Sequence, residues 1–202
     1  MQTLRNKLIE ETKEKMHQSF NSEKLIITAA KFIIDLENCI NKLKLRLKNW
    51  SAFYNDNEDI FNLDFKECDC DNLKKEDLKI VKRNIAILKN LIKMKKENLA
   101  YLTRIMNSEI PTFTKVTGSL LGASIINLAG GIKKLAMMAS SKIQVLGAEK
   151  ALFRHLKAGT KPPKYGIIFY HPQIQNSTNK GQAARKLSAQ ISKAIRLDYF
   201  RK

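Results

Sequence analysis

Apolar residues in the first half of the chain recur at spacings of three and four. Leu25, Ala29, Phe32, Leu36, Ile40, Leu43, Leu47 and Trp50 form one series. Val81, Ile85, Leu88, Ile92, Lys95, Leu99, Leu102 and Met106 form a second, alternating four and three without a break. A mean period of 3.5 keeps one seam turned toward a partner helix, so the pattern predicts two long helices in coiled-coil register. One loop joins them, which makes them antiparallel partners. Lys95 interrupts the second seam, either to set its register or to snorkel at an edge. Asn21 or Ser22, with Glu23 in the first turn, suits the start of the first helix, and Asn72 the start of the second. Residues 1 to about 20 read as a further short amphipathic helix anchored by Leu4, Leu8 and Met16.

Pro111 ends the coiled coil. Beyond it the pattern predicts helices near 112–129, 131–137, 142–158 and 178–200, with breaks at Gly130-Gly131 and Pro162-Pro163. Gly166-Ile167-Ile168-Phe169-Tyr170 looks strand-like but is too isolated to form a sheet, so an extended connection packed on the helices is expected. The fold class is therefore all-α: an N-terminal helix over 1–21, a coiled-coil arm over 22–110, and a globular helical domain over 111–202. Val116 to Ile132 carries no charge, yet it is too short and too polar for a membrane span. Gly118 and Gly122 sit at a spacing that serves membrane dimers; close packing in a core uses the same spacing.

Charge changes the picture. The formal net charge is +18, from 37 basic and 19 acidic residues. From Pro111 onward there are 16 basic residues and two acids, Glu149 and Asp198; before it there are 21 basic and 17 acidic residues. That asymmetry points to a polyanion meeting the C-terminal half. The joining loop near 51–71 is the opposite, with Asp56, Glu58, Asp59, Asp64, Glu67, Asp69 and Asp71 against Lys66. An acidic tip is repelled by nucleic acid, and its length suggests disorder or a small docking knob. The three cysteines, Cys39, Cys68 and Cys70, give an odd count without a signal peptide, which fits a reducing interior. Cys68-Asp69-Cys70 lacks the second pair that a four-ligand metal site needs, so no metal or other cofactor is expected.

Candidate binding residues fall on two helical faces. Gly147, Lys150, Arg154 and Lys157 share one face at spacings of three, four and three, while Val145, Ala148, Leu152 and Leu156 share another and are expected in the core. In the last helix Ala184, Leu187, Ile191 and Ile195 point inward. Gln182, Lys186, Lys193 and Arg196 lie opposite them, with Arg185 at the margin and Ala189 leaving a gap. Such side chains contact phosphates. Between these helices lies Phe169-Tyr170-His171. Phe169 is expected in the core, and His171 is the candidate for stacking on an unpaired base.

The stretch Ile143-Gln144-Val145-Leu146-Gly147-Ala148-Glu149-Lys150-Ala151-Leu152-Phe153-Arg154-His155-Leu156, followed by Lys161-Pro162-Pro163-Lys164-Tyr165-Gly166, resembles the signature of the Nop domain. Gly118-Ser119-Leu120-Leu121-Gly122-Ala123, Asn127-Leu128-Ala129-Gly130-Gly131 and Arg196-Leu197-Asp198-Tyr199-Phe200 look like further landmarks, so the match runs from about Thr112 to Phe200. The pattern is similar to the archaeal box C/D ribonucleoprotein scaffold and, more distantly, to a spliceosomal relative. The resemblance implies recognition of a composite surface: a kink-turn RNA together with the small ribosomal-type protein that bends it. It places Gly147, Ala148, Glu149 and Lys150 against that surface, with Lys161 and Lys164 nearby, and it implies self-association through the coiled coil. One departure is that Ala139-Ser140-Ser141 stands where the family commonly has a proline. Another is that about twenty residues precede the coiled coil, where archaeal scaffolds carry a domain that docks fibrillarin. No fibrillarin docking is therefore expected of this stretch.

The residues offer no Ser/His/Asp order, metal cluster or phosphate loop, so an enzyme is not expected. A coiled-coil adaptor without RNA contact is the alternative; it leaves the basic half without a task. A membrane-surface protein would need an exposed bulky apolar face.

Overall fold

The computed structural model describes residues 5–6, 9–10, 22–51 and 75–201 of the chain. Leu4, Leu8, Met16, the suggested caps Asn21 and Asn72, and the acidic stretch with Cys68 and Cys70 lie outside them. Every regular element of the described residues is helical, so the all-α expectation holds. The order is α1 (Ser22–Ser51), α2 (Lys75–Glu109), α3 (Pro111–Thr117), α4 (Ser119–Ala129), α5 (Ile132–Ala136), α6 (Ser140–Gln144) and α7 (Glu149–Ala158), then a 3-10 turn (Ile167–Tyr170), α8 (Pro172–Gln175) and α9 (Lys180–Phe200).

The chain divides into two units: residues 1–30 with 101–202, and residues 31–100. The division falls inside α1 and α2, so the start of α1 and the end of α2 go with the globular part. In the second unit Ile40, Leu47, Ile85 and Leu88 are buried together, with Trp50, Val81, Leu91 and Ile92 against them. Glu37 early in this stretch of α1 meets Lys95 late in α2, with Lys95 Nζ donating to Glu37 Oε1 at 2.7 Å. Low numbers on one helix face high numbers on the other, which is the antiparallel pairing expected. Lys95 thus fills its seam position by pairing with a carboxylate of the facing helix.

The α1 seam differs in part from expectation. Ile26, Ala30 and Ile33 are buried, whereas Phe32 is 45% exposed and Leu43 37%. Leu25-Ile26, Ala29-Ala30 and Phe32-Ile33-Ile34 make a stripe wide enough for two registers. Period alone does not choose between neighbours within such a stripe.

In the globular unit α9 packs across α3, α5, α6 and α8, and α4 packs on α3, α5 and the 3-10 turn. Ala184, Leu187, Ile191 and Ile195 of α9 are buried, as their spacing predicts. They meet a core that includes Phe113, Ile125, Ile126, Leu135, Ile143, Ile168 and Ile174, all 0% exposed. Burying a side chain of this size contributes roughly 1.5–3 kcal/mol. The single helix expected over 112–129 is two, because Gly118 takes φ +73 between α3 and α4. Likewise 142–158 is broken between α6 and α7 around Gly147, at φ +85. The segment after Gly166 is a 3-10 turn, Ile167–Tyr170, rather than an extended connection. Gly122 lies in a tight spot, where an added Cβ would come within 2.9 Å of Phe113 Cε1 and 3.0 Å of Met106 Cε. No helix among the described residues is long and apolar enough to cross a membrane.

Candidate nucleic-acid interface

The signature stretch forms a turn and a short helix. Gly147 is not on the helix face where spacing places it; it precedes the N-cap residue Ala148 at positive φ. A Cβ there would lie 3.3 Å from both Ile167 Cβ and Leu128 Cδ1. A left-handed backbone against two packed side chains calls for glycine. Ala148 has no side-chain cap to offer. Glu149 in the first turn instead braces the turn before the helix, its Oε1 accepting the Gly147 N–H at 2.8 Å, and its negative charge suits that end of the helix dipole. Glycine makes the turn, glutamate holds it, and Lys150 is left exposed just beyond.

Along α7 the side chains of Lys150, Arg154 and Lys157 are all exposed, as a common basic face requires. The expected core face does not close. Leu156 is 74% exposed, Val145, Ala148 and Leu152 are half-buried, and α7 has no buried residue. Phe153, beside the basic stripe, is 67% exposed. An amphipathic pattern reports that an apolar face needs a partner, not that the partner lies in the same chain. The helix ends at Gly159, whose N–H donates to His155 O at 2.9 Å.

The basic face of α9 is present too: Gln182, Arg185, Lys186 and Lys193 are all exposed. Arg196 is committed elsewhere. Its Nε donates to Ala136 O at 3.0 Å and its second guanidinium nitrogen to Met138 O at 3.2 Å, which satisfies the free carbonyls at the end of α5. Lys193 and Arg196, with Arg201, Ser140, Leu197 and Phe200, line an open groove of about 520 Å³. Arg201 and Phe200 are not among the site residues that spacing singles out; Phe200 ends α9 and Arg201 is its C-cap residue.

His171, the stacking candidate expected from sequence, is hydrogen-bonded through both ring nitrogens. Its Nδ1 accepts the Gln173 N–H at 3.2 Å, capping α8, and its Nε2 meets Val116 O at 3.1 Å. An accepting Nδ1 leaves the proton on Nε2, which donates to the carbonyl. Both ring nitrogens are used within the fold. Lys161 and Lys164 are exposed in the link after α7. Lys164 O accepts from Gln144 Nε2 at 2.7 Å, and its side chain runs beside Gly181 at the start of α9. The three neighbouring aromatics are grouped: Tyr165 stacks on Phe169 with ring centroids 4.9 Å apart, and Phe169 meets Tyr170 edge-on at 6.1 Å. Among the described residues no group of three or more His, Cys, Asp and Glu is placed to hold a metal.

Set beside known proteins, the sequence matches the family described as "Nop: snoRNA binding domain, fibrillarin" over residues 3–202. The chain belongs to the Nop family. It is 37% identical over 216 residues to an uncharacterised NOP5 family protein of Methanocaldococcus jannaschii, covering 88% of this chain and 52% of that protein. It is 46% identical over 101 residues to nucleolar protein 56 of Dictyostelium discoideum, covering 50% of this chain and 19% of that one. The Nop chain thus spans about half the length, or less, of these relatives. Its fold is similar to a chain in the crystal structure of a fibrillarin/Nop5p complex, with a TM-score of 0.62 at 24% identity, covering 99% of this chain and 70% of that one.

Two residues of one landmark stretch read from the sequence, Arg196 and Asp198, acquire a physical role in this chain. Arg196 closes the end of α5, and the buried carboxylate of Asp198 accepts the N–H groups of Thr112 at 3.2 Å and Phe113 at 2.7 Å, closing the start of α3. A third closure is made by Glu23, whose Oε2 accepts the Ile132 N–H at 3.0 Å at the start of α5. Each charge has the sign that its helix end favours.

Proposed function

We propose that this Nop-family chain is a non-catalytic RNA-binding scaffold of a ribonucleoprotein. On this reading it recognises a kink-turn RNA already bound by a small ribosomal-type protein. The observation that carries the reading is the surface of α7, where Lys150, Arg154 and Lys157 stand beside the exposed Phe153 and Leu156. Lysine and arginine at such spacing suit phosphates. Two bulky apolar side chains suit a protein, since a nucleic-acid backbone gives them nothing to bury against. A helix offering both at once fits a composite of RNA and protein better than either alone.

The snoRNA-binding description of the matched family supports the RNA half of the reading. Lys161, Lys164, Gln182, Arg185, Lys186 and Lys193 extend the basic surface. Glu149 and Asp198, the two acids of this half, are both engaged with backbone N–H groups. The exposed Phe32, Leu45 and Ile87 of the helical pair support self-association there.

An electrophoretic shift with kink-turn RNA, naked and bound to its protein, tests the proposal. Weak binding to the naked RNA and tight binding to the pre-formed complex is the expected result. No binding to either would remove it.

A further inference from the structure

The rings of Tyr165, Phe169 and Tyr170 form a braced cluster, and one ring of it is left open. Phe169 is occupied: Tyr165 stacks on it at an interplanar angle of 15°, Tyr170 meets it at 63°, and Lys180 Nζ lies 5.3 Å from its centroid. Tyr170 has the edge contact to Phe169, and it is 70% exposed. The turn that carries it is pinned to the fold, and on either side of Tyr170 the Phe169 N–H donates to Gly166 O and the His171 N–H to Ile168 O, both at 3.0 Å. Gly166 N–H donates to Gln144 O at 2.8 Å, Ile167 N–H to Leu146 O at 2.7 Å, and the neighbouring Ile168 is fully buried. A large flat side chain, fixed at its root and bare at its end, is the kind of element that receives a ligand at low entropic cost.

The surroundings state what ligand. Lys164 and Lys180 flank the cluster, and the two carboxylates between Pro111 and Arg201, Glu149 and Asp198, are both engaged with backbone N–H groups. Aromatic rings among lysines suit unpaired nucleotides: the base stacks on the ring while its phosphates meet the ammonium groups. We infer that Tyr170, braced by Phe169 and Tyr165, is a stacking site for an unpaired base of single-stranded RNA. The inference deepens the RNA-binding reading by naming a subsite apart from α7. It moves the stacking role from His171, whose ring nitrogens serve the fold, to the residue before it.

The test uses a uridine octamer and an octamer of the same length and charge whose central nucleotides are abasic. Tyr170→Ala should weaken binding of the uridine octamer by about five- to a hundred-fold, the span for loss of one stacked base. Tyr170→Phe should restore it, because the ring and not the hydroxyl stacks. Neither exchange should alter binding of the abasic octamer or the slope of affinity against salt. A 2-aminopurine in place of a central base should be quenched by the wild type and not by Tyr170→Ala. Thermal melting controls for folding, and the exposure of Tyr170 keeps the fold out of the comparison. Equal affinity of wild type and Tyr170→Ala for the uridine octamer would overturn the inference. So would equal affinity of the wild type for both octamers, or no binding of either. If Tyr170→Ala weakened only the complex of RNA with its protein, the ring would be a protein contact and the inference would also fall. Tyr170-dependent octamer binding without any kink-turn complex would leave this subsite standing and remove the composite-surface reading instead.

Discussion

The carboxylate of Asp198, near the end of α9, accepts the backbone N–H of Phe113 at 2.7 Å, across 85 residues of sequence. Ile110, the N-cap of α3, has no side-chain oxygen to offer. A residue on the last helix therefore does what a serine or aspartate usually does locally. Asp198→Ala would leave two N–H groups at a buried helix start without an acceptor. A decrease in stability of roughly 1.5–3 kcal/mol is expected, as for hydrogen bonds to a charged group. Thermal unfolding should show it as a lowered midpoint, and Asp198→Asn, which keeps one acceptor, should be destabilised less.

Lys95 gives a prediction of the opposite sign. Its side chain is 29% exposed and that of its partner Glu37 43% exposed, so solvent screens the pair and it is worth no more than about 1 kcal/mol. The position belongs to an apolar seam. Lys95→Leu should leave the midpoint unchanged or raise it, while Ile85→Ala or Leu88→Ala, buried in the same pair of helices, should cost about 2–5 kcal/mol. A large drop for Lys95→Leu would show that the ion pair fixes the helix register.

Two glycines separate close packing from backbone freedom. At Gly159, φ is +65 and nothing lies within 4 Å of an added Cβ. At Gly166 the added Cβ would run into the Leu146 carbonyl. Gly159→Ala should cost about 1 kcal/mol, the penalty of the left-handed backbone alone. Gly166→Ala should cost more, by displacing the segment that pairs with Gln144 and Leu146. Comparison of the two unfolding curves checks this; equal destabilisation would mean the segment yields freely.

Much of this is legible in the residues, and the gaps have physical causes. The α9 core face and the α2 seam follow from period because one apolar stripe has one partner. The α1 seam slips because adjacent apolar residues leave two stripes open. Gly118 and Gly147 break helices that apolar period joins, since period is blind to one residue at positive φ. Spacing reveals the basic residues of α7 and α9, but not the exposure of Phe153 and Leu156. Sequence shows that a face is apolar and not whether the chain itself covers it. Arg196 and His171 look like binding residues for the same chemistry that makes them good internal caps.

Removing charge from the proposed binding faces should be visible in the salt dependence. For every phosphate that a variant no longer neutralises, the log–log slope of affinity against salt should flatten by about 0.7–0.9. Lys150→Ala, Arg154→Ala and Lys186→Ala are each expected to do so in a titration with the RNA–protein complex. Phe153→Ala should lower affinity with the slope unchanged. Unchanged slopes in all three basic variants would place the RNA elsewhere.

The central claim is that α7 meets RNA and protein together, and a four-way affinity measurement tests it most directly. Wild type and Leu156→Asp are each titrated against naked kink-turn RNA and against the same RNA bound by its small ribosomal-type protein. Leu156 is 74% exposed, so its exchange leaves the fold intact. The wild type should prefer the complex by about tenfold or more, a coupling of about 1.4 kcal/mol, and Leu156→Asp should lose that preference while keeping its affinity for naked RNA. Equal wild-type affinity for naked and protein-bound RNA would contradict the composite surface.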